Sequence, residues 1–246
     1  MYDEVVDEER KILNLASKEY SKCIEKYLGA EDISVTASIS NVTTSGTYSL
    51  DLRATKQVGS DSNFEIISLS VPDNRNMVLF PEKINGMYYK LDRPYDYPSS
   101  SSGEIWISES PDLIHWGNFR PVLHQGYKFW NTVKIGPTPA IKTDKGWLEI
   151  IHGVANTAGG TYYYIGAILL DLNEPWKVIG KTNSYVLKPE LQNELHGNSD
   201  NTVFACGAIA DYDKDQIRLY YGGCDESINL AVGSISELVE ACLLGL

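Results

Sequence analysis

The sequence predicts an all-β protein of the propeller type. A pattern of strand, polar turn and aromatic-rich second strand occurs three times, at residues 83–93, 142–152 and 212–222. A short motif that closes such units recurs roughly every 50–60 residues, a period typical of a four-stranded propeller blade. Each second strand delivers a different polar side chain. Repeats that present unlike chemistry at one equivalent position predict blades around a shared pocket.

The first residues differ from this pattern. Between residues 4 and 28, apolar side chains fall at helical spacing and charges fill the other face, which predicts one amphipathic helix ending near Gly29. We therefore expect a helical segment over residues 1–29 and a propeller domain over residues 30–246. A short closing helix is expected from residue 236 onward.

Composition and charge exclude several classes of partner. The formal net charge is −12 and the pI is about 4.8. Without a basic patch, neither nucleic acid nor an anionic membrane is an expected partner. No apolar signal segment opens the chain, no stretch is apolar enough to span a bilayer, and the four cysteines are scattered. These features predict a cytoplasmic protein with reduced thiols.

Four cations form a candidate anion site. Arg93 and His152 end equivalent strands of the repeat, Arg75 precedes an apolar run, and Lys134 opens the strand of another blade. If they converge at the propeller axis, they would bind an oxyanion or a phosphate group. Each cation alone is better explained by a surface salt bridge, and only the repeat groups the four together.

Carboxylates and aromatic side chains complete the candidates. Asp32 follows the predicted helix and is also explained as a turn residue. Asp225 comes shortly after Gly222 and Gly223, which permit close approach of a ligand but also form common turns. A glycoside-cleaving enzyme needs at least one carboxylic acid to protonate the leaving oxygen. Tyr163 and Phe204 could stack on sugar rings, although core packing is the default explanation for each of them.

Several of these stretches match one known family in order. The chain resembles glycoside hydrolase family 130, the β-mannoside phosphorylases, over about residues 74–246. The matching stretches are residues 74–86, 93–94, 105–117, 134–137, 146–148, 152–154 and 220–225.

The resemblance implies a five-bladed β-propeller and an inverting phosphorolysis that releases mannose 1-phosphate from a terminal β-mannoside. Inorganic phosphate is then the co-substrate, with no cofactor and no metal. The residues that match the family's phosphate site are Arg75, Arg93, Lys134, His152 and Tyr163. Those that match its sugar contacts are Asn76, Phe204 and Asp225. The position nearest to the family's catalytic acid is Asp32, which would act through a mannose hydroxyl.

The family's first blade should lie where the helix is predicted. The resemblance therefore implies an incomplete propeller of about four blades, with one side of the pocket open or completed by a second subunit in a homo-oligomer. Two alternatives remain: a β-mannoside hydrolase on the same fold, and a catalytically impaired propeller that binds sugar or acts as a scaffold. Four cations without an obvious second catalytic carboxylate favour phosphorolysis, because a hydrolase needs a base to activate water.

Overall fold

The computed structural model describes residues 33–40, 49–56, 68–70, 74–94 and 103–245. The chain divides into two compact units, Met1–Ile66 and Ile67–Leu246. The predicted helix over residues 4–28 and the domain boundary after residue 29 lie outside the described residues. In the first unit, β1 (Ile33–Ser40) and β2 (Ser49–Lys56) form an antiparallel hairpin in which Ile33 faces Lys56.

The second unit begins with a four-stranded antiparallel sheet, here called sheet 1. Its strands follow chain order: β3 (Asn74–Leu79), β4 (Tyr88–Pro94), β5 (Ile105–Ser110) and β6 (Gly117–Leu123). Leu91 lies opposite Ile107 in the β4–β5 pair, and both side chains are buried. Such apolar cross-strand pairs stabilise a sheet face that packs against another layer.

Sheet 2 follows and has the longest strands. A 3₁₀ turn (Phe129–Asn131) leads into β7 (Lys134–Pro137), β8 (Ile141–Lys142), β9 (Trp147–Thr157), β10 (Gly160–Leu170) and β11 (Val178–Lys181). The sheet order is β11-β10-β9-β7, and β8 also pairs with β9. Residues 147–155 of β9 and 164–170 of β10 are continuously buried rather than alternating, which is expected when both faces of a sheet are covered.

Sheet 3 and a helix end the chain. A short helix, α1 (Gln192–Leu195), precedes β12 (Val203–Asp211), β13 (Gln216–Gly223) and β14 (Ser227–Ser234), which form an antiparallel meander. The closing helix predicted from the sequence is confirmed as α2 (Ile235–Leu244). The hydroxyl of Ser234 accepts a hydrogen bond from the Glu237 backbone N–H and so caps this helix.

Two apolar cores join the three sheets in series. The first core contains Trp147 and Ile151 of β9 and lies between sheets 1 and 2. The second contains Leu148 and Ile150, on the other face of β9, and lies between sheets 2 and 3. Each fully buried Leu or Ile contributes about 1.5–3 kcal/mol. Successive sheets packed face to face are the arrangement of propeller blades, so the all-β prediction is confirmed.

The predicted hairpins are present, with one difference in where their polar residues lie. Lys142 faces Trp147 across the β8–β9 turn, and Asp211 faces Gln216 across the β12–β13 turn. Arg93 lies near the end of β4, whereas His152 lies in the middle of β9 because that strand continues to Thr157. In the described part of the chain, no helix is both long and apolar enough to cross a membrane.

Candidate functional site

Arg93 and His152 meet in the interior, although they belong to different sheets. The Nη1 atom of Arg93 donates a hydrogen bond to Nε2 of His152 at 2.9 Å. The Arg93 residue is 6 % exposed and His152 is 0 % exposed. A guanidinium only donates hydrogen bonds, so Nε2 must be the acceptor and the ring proton must lie on Nδ1. The Nδ1 atom is buried and has no partner among the described residues.

The imidazole of His152 packs against a glycine of β7 and an aromatic ring of sheet 3. Gly136 is its cross-strand neighbour, and a Cβ atom at that glycine would lie 2.2 Å from Cε1 of His152. The ring centroid of Phe204, on sheet 3, lies 4.5 Å away on an inclined plane. The ring occupies the space that a side chain at position 136 would fill, so its observed position requires glycine there.

Lys134 and Tyr163 lie beside this pair. Both residues are register partners of Val154 on β9, one from β7 and one from β10. The Nζ atom of Lys134 is 5.1 Å from the centre of the Tyr163 ring, within the range of a cation–π contact. The Tyr163 ring is stacked at 6.3 Å from that of His152.

Arg75 adds a second guanidinium from sheet 1. Arg75 and Arg93 are cross-strand partners of β3 and β4, and the pairing register shifts directly after Arg75. At that irregularity, Asn76 has a φ of 55°, a left-handed conformation that Asn adopts more readily than most residues. The positive charge of Arg75 contributes to lowering the pKa of Arg93. The two arginines are therefore close enough to interact.

Burial and mutual repulsion between cations dominate the electrostatics. Burial lowers the pKa of His152 well below its usual value, and the charges of Arg93 and Lys134 lower it further. The prediction that His152 is a cation of this site is therefore wrong, because a buried imidazole beside two positive charges stays neutral. Burial is also the largest cause of the lowered pKa of Arg93; Tyr163 opposes this shift and Arg75 adds to it. Among the described residues, no carboxylate acts on either pKa. A bound anion would supply the missing counter-charge.

The structure therefore brings together most of the predicted phosphate and sugar residues. The residues linked by the distances and electrostatic effects above are Arg75, Arg93, Lys134, His152, Tyr163 and Phe204. Asp225 is exposed, has a φ of 58° and follows β13, the strand that pairs with Phe204. Asp32 lies outside the described residues.

Sequence reasoning missed the role of Gly136. In the sequence this glycine lies in the matching stretch 134–137, where nothing assigns it a role. A glycine inside a strand often marks the close approach of another group, and here that group is the imidazole of His152. A glycine within the strand is therefore a signal that the sequence contains, but it does not indicate which group approaches.

Comparisons with known proteins agree with the geometry. The model of glycoside hydrolase family 130, described as beta-1,4-mannooligosaccharide phosphorylase, matches residues 33–244. The beta-1,4-mannooligosaccharide phosphorylase of Ruminococcus albus is 39 % identical over 171 residues, which are 69 % of this chain and 51 % of that protein. The 1,2-beta-oligomannan phosphorylase of a Thermoanaerobacter species is 39 % identical over 67 % of this chain and 52 % of its own length. The chain thus spans about half the length of these curated relatives.

A solved structure gives the same assignment. The beta-1,2-mannobiose phosphorylase of Listeria innocua, in complex with beta-1,2-mannobiose, superposes with a TM-score of 0.68 and 34 % sequence identity. The match covers 87 % of this chain and 58 % of that one. The fold is that of the five-bladed propellers of this group, and the chain covers part of it. The chain belongs to glycoside hydrolase family 130.

Proposed function

We propose that this chain carries the phosphate side of a β-mannoside phosphorylase site. In the reaction, a phosphate oxygen attacks the anomeric carbon of a terminal β-mannoside and the glycosidic C–O bond breaks. The products are mannose 1-phosphate, formed with inversion, and an acceptor sugar shortened by one residue, which takes up a proton at the leaving oxygen. Oligosaccharides of β-linked mannose are the substrate class we propose, with phosphate as co-substrate.

The observation that carries this proposal is the pair of cations formed by the buried Arg93 and the half-buried Lys134, held beside the neutral imidazole of His152. Phosphate has about two negative charges at neutral pH and loses its water shell on entering such a site. Charge-assisted hydrogen bonds from fixed donors replace that shell and hold the nucleophile in line with the anomeric carbon. Arg93 is already held in place by His152, so little ordering is required when phosphate binds.

Hydrolysis is the competing function. Activating water would require a carboxylate base near the reacting carbon. Within the described part of the site, the charges that act on Arg93 and His152 come from cations and from Tyr163 rather than from a carboxylate. This charge pattern supports an anionic nucleophile over water. Asp32 keeps its proposed role as the acid that protonates the leaving oxygen.

The test is product analysis with and without phosphate. We expect β-linked mannobiose and mannotriose to yield mannose 1-phosphate only when inorganic phosphate is present. The release of free mannose at equal rates with and without phosphate would instead indicate a hydrolase. No turnover of either sugar would indicate the catalytically impaired alternative.

A matched pair of lysine variants localises the phosphate site. Lys134→Ala should raise the KM for phosphate by about 10- to 100-fold, the equivalent of one charge-assisted hydrogen bond. Lys145→Ala is the control, because this lysine is exposed in the β8–β9 turn and pairs only with Asp144 in the described structure. Equal KM values for phosphate in the two variants would rule out the role of Lys134.

A further inference from the structure

Four aromatic side chains form a continuous run on the face of β10 opposite to Tyr163. Tyr162 and Tyr164 flank Tyr163 in the strand, so their side chains point to the other face of the sheet. Their ring centroids are 6.1 Å apart with planes inclined by 22°. Tyr185 stacks on Tyr164 at 5.1 Å and 23°, and Phe129 contacts Tyr185 edge-on at 6.0 Å.

The run is anchored on one side and open to solvent on the other. Tyr162 and Tyr185 pack against the first core, and Tyr164 is part of it. Phe129, by contrast, is 62 % exposed, and Tyr162 and Tyr185 are half-buried. Rings that are fixed by the core but still reach solvent lose little conformational entropy when a ligand binds to them.

The run is close to the anion site in sequence and lies on the opposite face of the same strand. Phe129 lies in the 3₁₀ turn that leads into Lys134, and Tyr162 is the direct neighbour of Tyr163. A sugar chain whose reacting end lies beside Lys134 and Tyr163 would contact the run if its remainder passes the edge of sheet 2 onto the other face of β10.

We propose that the aromatic run Phe129–Tyr185–Tyr164–Tyr162 binds the sugar residues of a β-linked manno-oligosaccharide beyond the residue that is cleaved. The placement of the cleaved end rests on the proposed function. The C–H face of a pyranose ring is apolar and stacks on an aromatic ring, and tyrosine hydroxyls can bond its hydroxyl groups. Burial, and then the neighbouring tyrosines, raise the pKa of Tyr164, so its hydroxyl stays protonated at neutral pH and can donate.

The ligand chemistry is that of a neutral polyol. An acidic peptide would be repelled by a chain with a net charge of −12. A purely apolar ligand would leave the hydroxyl groups of three tyrosines without a polar partner. A sugar chain can contact both the apolar ring and the hydroxyl group of each tyrosine, because each sugar residue has an apolar face and a rim of hydroxyl groups.

Direct binding tests the proposal without relying on catalysis. Titration calorimetry would compare β-1,4- and β-1,2-linked mannohexaose with the matching mannobiose, using wild type, Phe129→Ala and Tyr185→Ala. We expect each variant to lose roughly three- to tenfold in affinity for at least one hexaose, the amount typical of one aromatic contact. Affinity for mannobiose should change less than twofold, because a disaccharide fills only the reacting end.

Two further variants separate ring loss from damage to the fold. Phe129→Tyr keeps the ring and should retain affinity for the hexaose. Phe119→Ala removes a comparably exposed ring (56 %) from β6 and should change nothing. The proposal is overturned if Phe129→Ala binds both hexaoses as wild type does, or if it loses hexaose and mannobiose equally. Ring-dependent hexaose binding without formation of mannose 1-phosphate would support the proposal while rejecting the proposed function.

Discussion

Replacing Gly136 with alanine tests how the candidate site is held together. The imidazole of His152 lies against this glycine, and the same ring accepts the hydrogen bond from Arg93. A Cβ atom at position 136 would lie 2.2 Å from Cε1 and 2.7 Å from Nε2 of His152. The Nε2 atom is the acceptor for Arg93, so the added methyl group competes directly with that hydrogen bond.

The magnitude follows from two costs. Carbon atoms pack at about 3.5–4.0 Å, so the ring must move away from position 136 by more than about 1 Å, within a space that the ring of Phe204 also borders. Overpacking of this kind costs about 1–3 kcal/mol. Loss of the buried hydrogen bond from a charged donor costs about 1.5–3 kcal/mol. We expect Gly136→Ala to lower the free energy of unfolding by about 3–5 kcal/mol, a large fraction of the usual total.

Urea unfolding, followed by tryptophan fluorescence, measures this change. Gly207→Ala is the control, since a Cβ atom at that strand glycine would meet no heavy atom within 4 Å. The control should be unchanged or slightly more stable, because alanine restricts the unfolded chain. If Gly136→Ala folds with wild-type stability and keeps the wild-type KM for phosphate, then the ring is not fixed as we describe and the reasoning fails.

Two further variants test buried polar groups outside the site. Burial raises the pKa of the Glu149 carboxyl, so the folded state keeps a proton that the unfolded chain releases above about pH 4.3, and stability falls as the pH rises. In urea unfolding, Glu149→Gln should therefore stabilise the protein by about 1–3 kcal/mol at pH 8 and by little at pH 4. Glu240→Gln, at an exposed position, is the control, and its effect on stability should not differ between the two pH values. Tyr221→Phe removes a 2.7 Å hydrogen bond to Glu194 and should cost about 1.5–3 kcal/mol by the same measurement. Tyr220→Phe is the matched control, and equal stability of the two tyrosine variants would contradict the structural role of the Glu194 contact.

Local signals in the sequence were sufficient for much of the fold. Alternating strands and polar turns predicted the hairpins around Lys142 and Gln216, because hairpin formation depends on neighbours in the chain. The same repeat pointed to Arg93 and His152 as members of one site. The expectation that both lie at strand ends was wrong for His152, since strand length depends on the partner strands β7 and β10 rather than on local sequence.

The sequence by itself determined the strand pattern, the acidic charge and the residue types of the anion site, since these depend on composition and short-range periodicity. Tertiary structure alone decided that Gly136 supports the imidazole of His152, and that burial keeps this ring neutral while Arg93 donates to it. It also decided that Phe129 and Tyr185 continue the aromatic run of β10. These contacts join distant parts of the chain, and their geometry depends on how whole sheets pack rather than on any local pattern.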